Sequence, residues 1–370
     1  MEIEAAVVNE EGGAFEIEAV ELEEPQADEV LVRVVGTGVC HTDMIVRDQM
    51  YPTPLPAVLG HEGSGVVEQV GSEVSAVEPG DRVVMSFDFD HTCKSCRDGH
   101  PAYCTDFFAY NFSGERPADG SSPLSKDGQK ISGRFFGQSS FSTYAIATER
   151  NVVSVEDDVP LELLGPLGCG IQTGAGGVIN SLDPQVGSSI AIFGAGSVGL
   201  AGVMAAVIKG CTQIISIDLK RNRLEKAESL GATHIVNPED VGDVNEHIQE
   251  YTRGGVDYAL ETTGVPAVAD QAVESLAARG TLGIIGAPAL GEVASYDINN
   301  LILNGRTITG IVEGDSDPQQ FIPDLIELYR QGKFPFDELI TYYDFDEIEQ
   351  AVEDSERGET IKPVLRMSEP

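Results

Sequence analysis

A chain of 370 residues exceeds what one ordinary hydrophobic core supports, so two domains are expected. Aspartate and glutamate number 61 against 23 lysine plus arginine, and the resulting net charge of −38 excludes nucleic acid and anionic membrane surfaces as partners, because both would repel it. Hydrophobic residues at 41% and 41 glycines suit a globular α/β protein with many tight turns.

The N-terminal run Met1–Glu11 has no basic patch and no apolar h-region, so no secretory leader is expected. Short apolar runs at Ala5–Val8 and Val30–Val35, bounded by Gly12-Gly13 and Pro25, predict antiparallel strands. The stretch Gly36–Val74 then places Cys40, His61 and Glu62 close together. A thiolate, an imidazole and a carboxylate are donors that a tetrahedral, borderline-soft cation such as zinc prefers. A lone histidine here would read as a satisfied polar group at a strand end. The thiol, the glycine spacing and a later Cys169 favour a metal site. Val66–Val70, the turn Gly71-Ser72 and Pro79–Val84 add further short strands, the pattern of a small irregular barrel.

Residues 86–144 are the least regular part of the chain. They hold Cys93, Cys96 and Cys104 and a dense aromatic set that includes Phe87, Phe107, Phe112, Phe135 and Phe136. Clustered thiols in a chain without a leader favour metal over disulfides, and with that a cytoplasmic setting. Most of the aromatics are expected to pack as local core; two or three could line an apolar substrate cleft.

From about Asn151 the pattern turns to alternating strands and helices. Strand Ser189–Phe193 is followed by Gly194-Ala195-Gly196-Ser197-Val198-Gly199 and an apolar helix to about Lys209. The uncharged run Ser188–Ile208 is long enough for a membrane span, but its glycines and strand–turn–helix pattern exclude that reading. Next come strand Ile214–Ile217, ending in Asp218, and a helix near Arg221–Leu230. Further strands are expected at His234–Val236, Val256–Glu261 and Leu282–Ile285, with helices near Asp243–Thr252 and Pro266–Ala278. Such repeated units predict a doubly wound parallel sheet. The glycine loop follows a strand and opens a helix, with an acid at the end of the next strand, which is the context a dinucleotide site requires. Asp218 would accept hydrogen bonds from the adenosine ribose and repel a 2′-phosphate, which favours NAD over NADP. Lys220, Arg221 and Arg223, at the helix start beyond it, keep NADP as the lesser reading. The chain then gives Ile308–Glu313, a helix over Pro318–Gly332 and a last apolar run at Val364–Leu365.

Gly60-His61-Glu62 with Gly65, Gly71 and Val74 resembles the signature of the zinc-containing medium-chain alcohol dehydrogenases, and the resemblance covers essentially the whole chain. Within that family, Gly137–Tyr144, Leu167–Ala175 and Ile311–Lys333 are most similar to the aryl-alcohol (benzyl-alcohol) dehydrogenase branch. The resemblance implies a chaperonin-10-like irregular β-barrel catalytic domain over 1–153 and 308–370, plus a Rossmann coenzyme domain over 154–307. It implies a catalytic zinc on Cys40, His61 and Cys169, with Glu62 as an exchanging ligand or its close neighbour. Asp43 would orient His61, Thr42 would take the alcohol proton, and His41 would contact the cofactor pyrophosphate. Arg223 joins Gly194, Gly196, Ser197, Val198, Gly199 and Asp218 as a cofactor-binding residue. The sequence departs from the best-known members at Ile45, where they carry a histidine that completes the proton relay.

The family also carries a structural zinc on four cysteines with gaps of two, two and seven residues. Here Cys93, Cys96 and Cys104 keep the last two gaps, and counting back by two from Cys93 lands on Asp90. Asp90 is therefore the expected fourth ligand, with His91 and His100 as alternatives. The implied activity is reversible oxidation of a primary aryl or allylic alcohol to its aldehyde with NAD. Alkyl alcohols or polyols are the rival substrates, and a non-catalytic cofactor-binding scaffold is the competing class. Family members form dimers or tetramers, and the edge strand near Thr307–Val312 could pair two copies. Finally, the acid is spread along the chain and lysine numbers eight against fifteen arginines, which resembles the surfaces of salt-accumulating halophiles.

Overall fold

The computed structural model describes residues 1–367, so the last three positions of the expected segment 308–370 lie outside the described residues. Two compact units form. The first holds Met1–Gly170, Asp317–Asp324 and the stretch beginning at Leu339; the second holds Ile171–Ser316 and Leu325–Glu338.

The first unit is built on strand Glu29–Gly38, whose residues are nearly all buried. Val30–Val35 is apolar at every position but Arg33 rather than alternating, as a strand covered on both faces requires. It pairs antiparallel with Gly63–Val70, Tyr144–Thr148 and Lys362–Arg366. Arg82–Met85, Val152–Val155 and Ile340–Asp344 complete this seven-stranded sheet. A five-stranded sheet, in the order Ala57–Val58, Glu2–Val8, Phe15–Leu22, Leu124–Lys126 and Gln129–Ile131, packs in the same unit. Two glycines of the central strand permit close approach. A Cβ on Gly36 would lie 2.7 Å from Glu162 Cα, and one on Gly38 would lie 2.0 Å from Glu62 Oε2. Of the aromatics in 86–144, Phe87, Phe135 and Phe141 are fully buried in the core, while Tyr103 and Phe108 remain 36% and 44% exposed.

The second unit is a six-stranded parallel sheet. Its spatial order is His234–Val236, Gln213–Ile217, Ser189–Phe193, Val256–Glu261, Leu276–Ile284 and Thr307–Gly310. This is the doubly wound order in which the first strand sits at the centre. Three boundaries differ from expectation. The helix expected over Pro266–Ala278 ends at Glu274, and the strand expected at Leu282–Ile285 starts at Leu276. Its register shifts between the Val256 and Tyr258 pairings, where Arg279 adopts φ 65°, so Ala277–Gly280 form an irregularity that apolar periodicity alone does not reveal. The edge strand expected over Thr307–Val312 ends at Gly310. Among the described residues no helix is long and apolar enough to cross a membrane; Ser188–Ile208 folds as a buried strand, a glycine turn and the helix Ser197–Ile208.

Candidate metal centres and dinucleotide site

Cys40 lies two residues past the central strand and caps a short helix, His41–Arg47, that periodicity did not foreshadow. Asp43 sits on its first turn and is fully buried. One carboxylate oxygen accepts the backbone N–H of Cys40 at 2.9 Å; the other accepts Gly60 N–H at 3.1 Å and meets His61 Nδ1 at 2.9 Å. Asp43 thereby locks the thiol-bearing turn to the histidine and sets the imidazole tautomer. Phe135 and Phe136 pack the ring, with centroids at 5.3 and 4.6 Å.

The other ring nitrogen, His61 Nε2, is buried without a hydrogen-bond partner. Ligand atoms of Cys40, His61, Glu62 and Cys169 all lie within 4.8 Å of one another. A buried orphaned imidazole nitrogen facing two thiols and a carboxylate is the donor set of a zinc site, and these residues fit that ion. The electrostatics agree. A hydrogen bond from Cys169 lowers the Cys40 thiol well below its ordinary range, against the effect of burial, with Lys362 and His61 assisting. Burial opposes an imidazolium at His61, but Asp43 and Cys40 outweigh it and raise that group. Burial raises Glu62, against the pull of Lys362.

Lys362 is the residue that the sequence did not single out. Its ammonium donates to both Glu62 oxygens, at 2.9 and 2.8 Å, and to Val39 O at 3.2 Å. Gly170 N–H adds a bond to Glu62 Oε1 at 3.0 Å. The only sequence signal was one lysine in the apolar run of the last strand.

Thr42 Oγ1 lies 3.7 Å from Cys40 Sγ, His41 is exposed on the same turn, and Ile45 is buried at 4% exposure.

The second cluster brings Asp90, Cys93, Cys96 and Cys104 within 4.8 Å of one another, whereas the rings of His91 and His100 belong to no such cluster among the described residues. His91 packs on Phe89 instead, with centroids 4.5 Å apart. Asp90 Oδ1 accepts the N–H groups of Thr92 and Cys93 at 2.8 and 2.9 Å. Against slight burial, these bonds hold the carboxyl at about 2. Backbone N–H groups of Cys96 and Thr105 lower Cys93 to about 7, while burial raises Cys96 and Cys104.

In the second unit, Gly194 takes φ 97°, and a Cβ on Gly199 would lie 1.9 Å from Gly194 O, so the helix starting at Ser197 packs tightly on its turn. A Cβ on Gly196 would meet nothing within 4 Å. Space in front of a helix N-terminus suits a pyrophosphate. Asp218 Oδ2 accepts Ala195 N–H at 2.7 Å and Oδ1 accepts Lys220 N–H at 2.7 Å, which ties the strand end to the glycine loop. Val198 follows Ser197 on the first turn. Arg223 is half-buried on the next helix, while Arg221 pairs with Asp240 at 2.7 Å.

Residues 26–157 match the alcohol dehydrogenase GroES-like domain, and residues 197–330 match the zinc-binding dehydrogenases. The chain is 48% identical to a geraniol dehydrogenase of Castellaniella defragrans, over 98% of this chain and 97% of that one. The structure of a benzyl alcohol dehydrogenase from Acinetobacter calcoaceticus superposes with a TM-score of 0.96 at 50% identity, covering 100% of both chains. A zinc-binding-domain alcohol dehydrogenase protein from Burkholderia ambifaria gives 0.97 at 55% identity, covering 100% of this chain and 99% of that one.

Proposed function

This chain belongs to the zinc-dependent medium-chain alcohol dehydrogenases, and we propose that it reversibly oxidises a primary aryl or allylic alcohol to the aldehyde with NAD as hydride acceptor. The observation that carries the reading is the orphaned His61 Nε2 among Cys40, Cys169 and Glu62. Geranyl and benzyl relatives favour allylic or aryl alcohols over alkyl alcohols and polyols.

Zinc held by Cys40, His61 and Cys169 supplies a Lewis acid for the alcohol or aldehyde oxygen, and NAD supplies the hydride acceptor. The remaining work falls to side chains. Asp43 keeps Nδ1 of His61 engaged, so Nε2 faces the metal. Thr42 takes the hydroxyl proton. Ile45 cannot relay it further, so it leaves through water. Lys362 and Gly170 hold Glu62 beside the ligand set. The Gly194–Gly199 loop receives the pyrophosphate, and Asp218 the adenosine ribose; Arg223 flanks that end and leaves NADP the lesser alternative. A scaffold without catalysis could shed its ligand set, and this chain retains it.

Three further elements complete the proposal. A second, structural zinc is held by Asp90, Cys93, Cys96 and Cys104. Two copies pair along the edge strand Thr307–Gly310, giving a dimer or a dimer of dimers. None of the six cysteines is in a disulfide, which suits a reducing cytoplasm, and the acidic surface suits molar salt.

The test is NADH formation in molar KCl from benzyl alcohol, geraniol, hexanol and a polyol, with and without a chelator, and with NADP in place of NAD. Chelator-sensitive turnover that is highest on benzyl alcohol or geraniol is expected. A zinc-loaded protein inert to the whole panel leaves only the scaffold.

A further inference from the structure

The segment Phe136–Phe141 folds against Val58–Gly63, and three of its residues are left-handed: Phe136, Gly137 and Ser139 take φ of 50°, 65° and 52°. Two of these carry side chains, which visit this region under strain. Backbone and hydroxyl groups pin the strained segment to the residues around His61. Ser140 N–H donates to Gly60 O at 2.9 Å, Phe141 N–H to Leu59 O at 3.0 Å, and Ser139 Oγ to Val58 O at 2.7 Å. The approach leaves no room for a side chain at position 60, where a Cβ would lie 2.4 Å from Phe141 N.

Gln138 lies at the centre of this contact, 1% exposed. Its Oε1 accepts Gly63 N–H at 3.0 Å, and its Nε2 donates to His61 O at 3.0 Å and to Ser86 O at 3.2 Å. The His61 carbonyl and the Gly63 N–H belong to the two peptide groups that flank Glu62. One side-chain amide therefore clamps the backbone that carries both His61 and Glu62. Through Ser86 the clamp reaches further, because Ser86 Oγ donates to Gly168 O at 2.6 Å. Gly168 immediately precedes Cys169, and a Cβ on it would lie 2.1 Å from Met85 O, so that turn packs directly on the strand end. The path from His61 through Gln138 and Ser86 to Gly168 is buried throughout. A glutamine that merely satisfied its own loop would bond nearby backbone. All three partners of Gln138 instead lie 52 to 77 residues away in sequence.

We propose that Gln138 is a positioning residue of the metal centre: its amide fixes the spacing between the segment that carries His61 and Glu62 and the turn that carries Cys169. This rests on the reading of Cys40, His61 and Cys169 as a zinc site. Groups that orient ligands from outside the coordination sphere typically change metal affinity by about 10–100-fold when removed.

Gln138→Met keeps the volume and removes all three hydrogen bonds. Zinc loss to a chelator at the first site, read by mass spectrometry as alkylation of Cys40, is expected to quicken about 10–100-fold. Alkylation of Cys93, Cys96 and Cys104 in the same molecules is expected to keep its unsubstituted rate. With cobalt(II) in place of zinc, the ligand-field bands are expected to shift, because the geometry of the donor set changes. Ser86→Ala cuts the same link at its far end while leaving the bonds of Gln138 in place. It is expected to quicken loss at Cys40 as well, and the double variant to be no faster than Gln138→Met, because the two groups act in series. Equal acceleration at both cysteine sets, unmoved cobalt bands, additive effects of the two substitutions or an unchanged rate in Gln138→Met each overturn the proposal. If Gln138→Met does not fold, Ser86→Ala decides: faster loss at Cys40 alone supports the link, and no change overturns it. Alkylation of Cys40 in the unsubstituted protein that is the same with and without zinc overturns the zinc reading itself, and the proposal with it.

Discussion

The ammonium of Lys362 bridges both carboxylate oxygens of Glu62, at 2.9 and 2.8 Å, across a separation of 300 residues. Both groups are buried, with side-chain exposures of 2% and 0%. The pair joins the C-terminal strand to the residue next to His61. Removing one partner strands the other charge away from water, which typically costs about 3–5 kcal/mol. Lys362→Met should therefore destabilise by roughly that amount in urea unfolding at fixed zinc, and Lys362→Arg by much less. A loss below about 1 kcal/mol for Lys362→Met would show the pair to be dispensable.

Thr42 is the hydroxyl beside Cys40, a proposed zinc ligand. Thr42→Val keeps the shape and removes the proton carrier, so turnover should fall by about 10²–10⁴ with zinc content intact. Unchanged turnover dismisses the relay.

In the proposed structural site Asp90 contributes a carboxylate oxygen, a harder donor than the three thiols around it. The zinc there should leave before the catalytic one under a chelator, and Asp90→Cys should slow that loss. An Asp90→Ala protein holding two zincs per chain as tightly as the unsubstituted one counts against the assignment.

Thiol labelling gives a pH test. In the stripped protein Cys93, lowered to about 7, is half thiolate at neutral pH, whereas burial raises Cys211 to about 11 and keeps it a thiol until strongly alkaline conditions. Alkylation mapped by mass spectrometry should modify Cys93 before Cys211 at pH 7. The reverse order contradicts these environments.

The charge of −38 makes salt a stability variable. Screening shortens from about 10 Å at 0.1 M to about 3 Å at 1 M, so the melting temperature should fall on dialysis from molar KCl to dilute buffer. A melting temperature independent of KCl removes the salt-adaptation reading.

Local chemistry was enough for much of this protein. Period-2 and buried-strand patterns, a glycine loop between strand and helix, and an acid at the next strand end imply the doubly wound sheet without any knowledge of contacts, because each signal lies within a few residues. Cys40, His61 and Glu62 were candidates by donor type, and Cys93, Cys96 and Cys104 by their clustering, because residue type and spacing are written in the sequence; Asp90 came from the family's gap pattern, and the fold brings each set together. The helix ending at Glu274 and the irregularity before Thr281 were not legible, because Ala277-Ala278 suits either a helix tail or a strand, and pairing with Val256 and Tyr258 decides it. Tertiary structure alone delivered Lys362 to Glu62, since nothing local relates residues 300 apart. It alone turned Glu313–Asp315 left-handed, because the backbone of Gln172–Gly176, far back in the chain, leaves that turn no other room.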